Sequence, residues 1–132
     1  MDRVFIDVLF IDDEQAFLNV LVKRLEKRHI RASIANSGAA GLERLSRHPV
    51  DIVVLDVCMP GMDGLETLRR IKAENPFSEV ILLTGNTCVE TARQGMEEGA
   101  FDYLMKPVEI DDLIYRLEDA YDKIQLIQAK PS

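Results

Sequence analysis

The sequence predicts an α/β domain: a doubly wound, five-stranded parallel sheet with helices on both faces. Three observations carry this. Strand-like and helix-like apolar periods alternate from one end of the chain to the other, the pattern of successive βα units. The strand-like runs are apolar at nearly every position, as strands covered on both faces must be. The stretches between them are short, and right-handed crossovers wind such units into an open sheet.

The first strand is DVLFID, Asp7 to Asp12. The helix after it covers about Gln15 to Arg28, where Phe17, Leu18, Leu21, Val22 and Leu25 recur at helical spacing. IRASIA forms the second strand, and Ser37 is placed to cap a helix from Gly38 to Arg47. VDIVVLD, Val50 to Asp56, is the third strand, followed by a helix from about Leu65 to Glu74 that stops before Pro76. EVILLTG is the fourth strand, and a polar helix runs from Thr87 to about Glu98. Its interior Gly95 weakens helix propensity by about 1 kcal/mol relative to Ala, which suits an element that shifts. FDYLMKP is the short fifth strand. The last helix, about Glu109 to Gln128, turns Ile110, Leu113, Ile114, Leu117, Tyr121, Ile124 and Leu126 or Ile127 to one face.

A chain of 132 residues suits one domain, and with 47% apolar residues it builds a core without disulfides or structural metal. The formal net charge of −7 argues against direct contact with nucleic acid, whose phosphates require a basic surface. The N-terminus lacks the order of a signal peptide, and no apolar stretch approaches the roughly 20 residues of a membrane span. A cytoplasmic protein without membrane insertion is expected. Cys58 and Cys88 have neither metal-ligand nor disulfide-framework spacing and read as free thiols.

In an open α/β sheet the functional crevice lies beyond the carboxyl ends of the strands. The first strand ends in Asp12-Asp13, the third in Asp56, the fourth in Thr84, and the fifth in Lys106 followed by Pro107. Carboxylates converging from two strands raise one another's pKa unless a cation joins them. Lys106 offers one positive charge. A hard divalent ion offers two, and Mg²⁺ fits an oxygen-only donor set better than zinc. Taken singly, each residue has a plainer reading: Asp12 or Asp13 as a helix cap, Thr84 as a strand residue, Lys106 as a solvated charge.

Together, LFIDDE, VVLDVCMPGMDG, VILLTG and YLMKP resemble the acidic pair, phosphoacceptor, hydroxyl and lysine motifs of the response regulator receiver domain of two-component signalling. The resemblance covers essentially the whole chain. It implies a (βα)₅ fold of flavodoxin-like strand order 2-1-3-4-5. It also implies a single receiver domain over residues 1–132, with its core at about 7–127 and residues 128–132 as a tail or the start of a linker.

Carried over by resemblance, Asp56 is the phosphoacceptor, Thr84 and Lys106 contact the phosphoryl oxygens, and Pro107 occupies a cis turn that positions Lys106. Asp12, Asp13, Asp56 and the backbone carbonyl of Cys58 hold Mg²⁺. Thr84 and Tyr103 form the switch, and the output face is the fourth helix, fifth strand and fifth helix. The implied partners are a sensor histidine kinase or phosphotransfer protein, a downstream target or output domain, and optionally a second copy of the chain. The domain would catalyse its own phosphorylation and dephosphorylation without being an enzyme in the usual sense.

Pro60 and the two glycines of PGMDG allow the tight loop after Asp56, with Met59, Met62 and Leu65 on its rim. On the first helix, the stripe of Phe17, Leu18 and Val22 could include kinase contacts, although most of it reads as core and no single residue is assigned. Cys88 begins the helix beside Cys58, which raises a redox hypothesis, although two unrelated buried cysteines is the preferred reading. An Mg²⁺-dependent aspartyl-phosphate phosphatase would place a second Asp two residues after its nucleophile, where Cys58 stands. A flavin module would need a polar, Gly-rich phosphate loop where the chain has DDE. A receiver-like domain that is never phosphorylated is the remaining alternative.

Overall fold

The computed structural model describes residues 5–61 and 63–129. Met62 and residues 130–132, the end of the expected tail, lie outside them.

The strands are β1 (Ile6–Ile11), β2 (Ile30–Ala35), β3 (Ile52–Asp56), β4 (Glu79–Thr84) and β5 (Asp102–Met105). The helices are α1 (Gln15–Glu26), α2 (Gly38–Arg47), α3 (Gly64–Glu74), α4 (Val89–Glu97) and α5 (Ile110–Ala129). All strand pairs are parallel, in the order β2-β1-β3-β4-β5. This is the doubly wound, flavodoxin-like arrangement expected from the sequence.

Side chains alternate along each strand, so every central strand feeds two cores. Val8, Phe10, Val54, Ile81 and Leu83 pack with α1 and α5, through Leu18, Leu21, Leu25, Leu113 and Leu117. Leu9, Ile11, Val53, Leu55 and Leu82 pack on the other face with Leu42, Leu45, Leu68, Ile71 and Ala92 of α2, α3 and α4. The unbroken apolar runs of β1, β3 and β4 follow from this two-sided burial.

Two helices begin with side-chain caps. Ser37 Oγ accepts from the Ala40 N–H at 3.0 Å and Asp63 Oδ1 from the Glu66 N–H at 3.0 Å, each satisfying an N–H that the first turn leaves without an intrahelical partner.

Several expectations change. A 3₁₀ turn over Asn86–Cys88 precedes α4, so the helix starts at Val89 rather than Thr87. Leu126 and Ile127 are exposed, since α5 runs past the edge of the core that its earlier turns cover. Leu18 is wholly buried, in keeping with the core reading of its stripe, and the exposed large apolar residue of α1 is Val20. Met59 is buried rather than on the loop rim.

Candidate functional site

Register brings the charged strand ends together. Ile11 pairs with Leu55, so Asp12, the next residue along, falls beside Asp56. Asp56 pairs with Leu83, and Thr84 with Met105, which sets Lys106 at the same edge. The Lys106 N–H donates to the Thr84 carbonyl at 2.8 Å, and the Lys106–Pro107 peptide bond is cis.

Asp56 is 3% exposed at the end of β3. Its Oδ1 accepts from the Cys58 N–H at 2.8 Å, and its Oδ2 from Lys106 Nζ at 2.9 Å. Asp12 is equally buried, and its Oδ1 accepts from the Glu14 N–H at 3.1 Å. Asp12 Oδ2 lies 3.1 Å from Lys106 Nζ, an ionic contact outside hydrogen-bonding geometry that leaves this oxygen without a donor. Neither Asp12 nor Asp13 caps α1, whose cap position is held by Glu14 with no side-chain bond. The cap reading of the acidic pair therefore fails.

Glu14 is a site residue that the motif reading passed over. Its carboxylate pairs with Lys106 Nζ from the exposed side. The signal was present, since Glu14 directly follows Asp12-Asp13, but nothing in the spacing showed that the chain turns it back toward the fifth strand.

Three carboxylates, those of Asp12, Glu14 and Asp56, thus gather around one ammonium. Burial raises the Asp12 pKa above its usual range and the Asp56 charge adds to this, against the opposing effects of the Glu14 N–H and Lys106. Burial works against the charged form of Lys106, but its bonds to Glu14 and Asp56 and the Asp12 charge outweigh it and raise the pKa.

Oxygen atoms of Asp12, Asp13 and Asp56 lie within 4.8 Å of one another. An all-oxygen set, one buried oxygen lacking a donor, and an excess of negative charge together fit a hard divalent cation.

Thr84 is fully buried, and its hydroxyl donates to the Gly85 carbonyl at 3.0 Å. Tyr103 is 43% exposed on β5. In the loop after β3, Gly61 has φ +73°, a left-handed conformation that glycine adopts without a Cβ penalty. Gly64 serves closeness instead, since a Cβ there would stand 3.0 Å from the Val57 Cβ.

Cys58 corrects the free-thiol reading. Its sulfur is bonded to that of Cys88, with the two Cα atoms 5.9 Å apart. The β3–α3 loop and the 3₁₀ turn before α4 meet at the sheet edge, so a sequence separation of 30 becomes a direct neighbourhood.

A lysine held between buried carboxylates at the carboxyl edge of a 2-1-3-4-5 sheet defines a receiver-type signalling domain. Comparison with known proteins agrees: the family model for the response regulator receiver domain matches residues 8–118. The chain belongs to that family, the receiver domains of two-component systems.

The transcriptional regulatory protein ZraR of Escherichia coli O157:H7 is 38% identical over 125 residues, covering 95% of this chain and 28% of ZraR. The DNA-binding transcriptional regulator NtrC of Escherichia coli K12 is 35% identical over 118 residues, covering 89% of this chain and 25% of NtrC. A crystal structure of a response regulator receiver domain protein from Clostridium thermocellum superposes with a TM-score of 0.87 at 34% identity, covering 93% of this chain and 99% of that one. The chain thus spans about a quarter of the ZraR and NtrC chains it matches.

The expectation of no nucleic-acid partner gains no support, because relatives in this set are named as DNA-binding regulators. Its basis was the charge of this domain alone, whereas those relatives are several times longer. No helix among the described residues is long and apolar enough to cross a membrane.

Proposed function

We propose that the domain is a phosphorylation-dependent switch with Asp56 as phosphoacceptor. The observation that carries this is the single Lys106 ammonium bonded to Asp56 and in ionic contact with Asp12. A buried carboxylate with one oxygen held by a lysine and the other by a loop N–H is fixed in orientation, as a nucleophile must be.

An oxygen of Asp56 attacks the phosphorus of a phosphohistidine in a kinase or phosphotransfer protein. The P–O bond forms as the P–N bond breaks, and the imidazole leaves as the neutral ring, its freed nitrogen taking a proton from water. Lys106 follows the transferred phosphoryl oxygens, and the Thr84 hydroxyl exchanges its Gly85 partner for one of them. Water later hydrolyses the acyl phosphate and resets Asp56. Asp12, Asp13, Asp56 and the Cys58 carbonyl would hold Mg²⁺, which supplies positive charge against the phosphoryl oxygens when bound.

Output passes through α4, β5 and α5. Movement of Thr84 opens room behind it for Tyr103, which packs inward and changes the face read by a downstream partner. The relatives named as transcriptional regulators point to an output in transcription control, with any DNA contact made by the segment or partner that this acidic domain governs. We place the protein in the cytoplasm, as a receiver facing a kinase requires. The phosphatase alternative lacks its acid, because the position two residues after Asp56 is a disulfide-bonded Cys58.

Intact mass after incubation with acetyl phosphate and Mg²⁺ tests the reading, beside Asp56→Asn and a chelated sample. One acid-stable, base-labile phosphoryl group on the native protein with Mg²⁺ alone is expected. No label from either acetyl phosphate or a phosphorylated kinase would leave a domain that works by binding only.

A further inference from the structure

We infer that Cys58 and Cys88 form a thiol–disulfide modification site, oxidised by peroxides, that governs whether the Asp56 switch can operate. This rests on the reading of Asp56 as phosphoacceptor.

Position carries the inference. Cys58 belongs to the loop that grips Asp56, through its own N–H bond to Asp56 Oδ1 at 2.8 Å. Cys88 ends the 3₁₀ turn that joins Thr84 to α4 and occupies the residue before the helix. The Cα separation of 5.9 Å lies within the span that a disulfide bridges without backbone movement. Both cysteines are partly exposed, so a small oxidant or a thiol reductant reaches them. The chain has 2 cysteines, so no alternative intramolecular pairing competes.

The bond ties together the two segments whose relative placement the switch must adjust. Thr84 is four residues from Cys88, and its hydroxyl is held by the Gly85 carbonyl. The Cys58 sulfur lies beside Gly85, where a Cβ would stand 4.0 Å from it. For Thr84 to turn from Gly85 toward a phosphoryl group, the stretch from Gly85 to Cys88 must adjust. With the disulfide formed, that stretch is anchored at Cys88 to the loop that carries the phosphoacceptor. A cytoplasmic disulfide in such a place is more often regulatory than structural.

The chemistry closes with hydrogen peroxide as oxidant. One thiolate sulfur attacks a peroxide oxygen, the O–O bond breaks, and a water leaves with a sulfenic acid formed. The second thiolate attacks that sulfur, the S–S bond forms as the S–O bond breaks, and a second water leaves. Two thiols and one peroxide thus give one disulfide and two waters. A dithiol reductant reverses the reaction by exchange, taking both electrons and protons back to the cysteines.

The test compares peroxide-oxidised and dithiothreitol-reduced protein in one labelling experiment with acetyl phosphate and Mg²⁺, with thiols counted by alkylation and intact mass. The oxidised form is expected to lose both free thiols and to label more slowly by about five-fold or more. Cys88→Ser is expected to label at the reduced rate under either treatment. Thiols that stay free under peroxide, or equal labelling of the two forms, would overturn the inference while leaving Asp56 as phosphoacceptor. Failure of the reduced protein to label from acetyl phosphate and from a phosphorylated kinase would remove the phosphoacceptor reading, and this inference with it.

Discussion

Gly95 of α4 lies so close to Leu82 of β4 that a Cβ on the glycine would stand 2.5 Å from Leu82 Cδ1. The same Cβ would meet Leu68 Cδ2 at 3.3 Å, and both leucines are fully buried. The glycine is therefore a packing residue. Its helix-weakening effect, expected from the sequence to favour movement, is secondary to the close approach of helix and sheet.

Gly95→Ala separates the two accounts. Propensity alone predicts a gain of about 1 kcal/mol, whereas forcing a methyl into a filled core costs about 1–3 kcal/mol. A net loss of up to about 2 kcal/mol is expected in urea unfolding. A net gain would restore the propensity reading.

Lys106→Met removes the cation from among Asp12, Asp56 and Glu14. Two of those carboxylates are buried, so a loss of about 2 kcal/mol without metal is expected, reduced from a fully enclosed pair because Lys106 is partly exposed. Added Mg²⁺ should then raise the melting temperature of the variant more than that of the native protein, since ligand binding to the folded state stabilises it. Equal shifts would mean that the lysine does not balance this charge.

Asp51 gives a dependence on pH away from the site. Burial raises its pKa and the Asp7 charge adds to this, while the Asp7 N–H bond at 2.9 Å and Arg31 oppose it. The folded-state value stands above 3.8, so this contribution to stability is fully present below that pH and is lost as pH rises through the folded value. Asp51→Asn keeps an acceptor for the Asp7 N–H but carries no charge. Its stability relative to the native protein should improve between about pH 4 and neutrality. A constant difference in urea midpoints across that range would contradict the assignment.

Asp63→Ala removes the acceptor for the Glu66 N–H at the start of α3. A loss of about 1 kcal/mol is expected, with Asp63→Asn retaining most of the stability. Thermal unfolding of both variants reads the difference directly.

The sheet was legible because apolar runs such as VDIVVLD have no other economical home than a strand covered on both faces. Asp12, Asp13, Asp56, Thr84 and Lys106 were legible as a group because strand ends in this architecture share one edge. What escaped depended on distances that no spacing encodes. Glu14 joins Lys106 through a turn of the β1–α1 loop. Cys58 and Cys88 meet because two loops from different units converge. The exposure of Leu126 and Ile127 reflects where α5 overhangs the sheet, which periodicity along a single helix does not reveal.

The strand order leaves two free borders, β2 and β5. β5 has only four residues, with Asp102 at its start drawn into an ion pair with Arg116. β2 exposes Arg31, paired with Asp7 of β1. Short length and charge are what keep a strand edge from recruiting another chain. Growth of the sheet from one molecule into the next is thus disfavoured at both ends, which leaves the helical faces as the surfaces open to association.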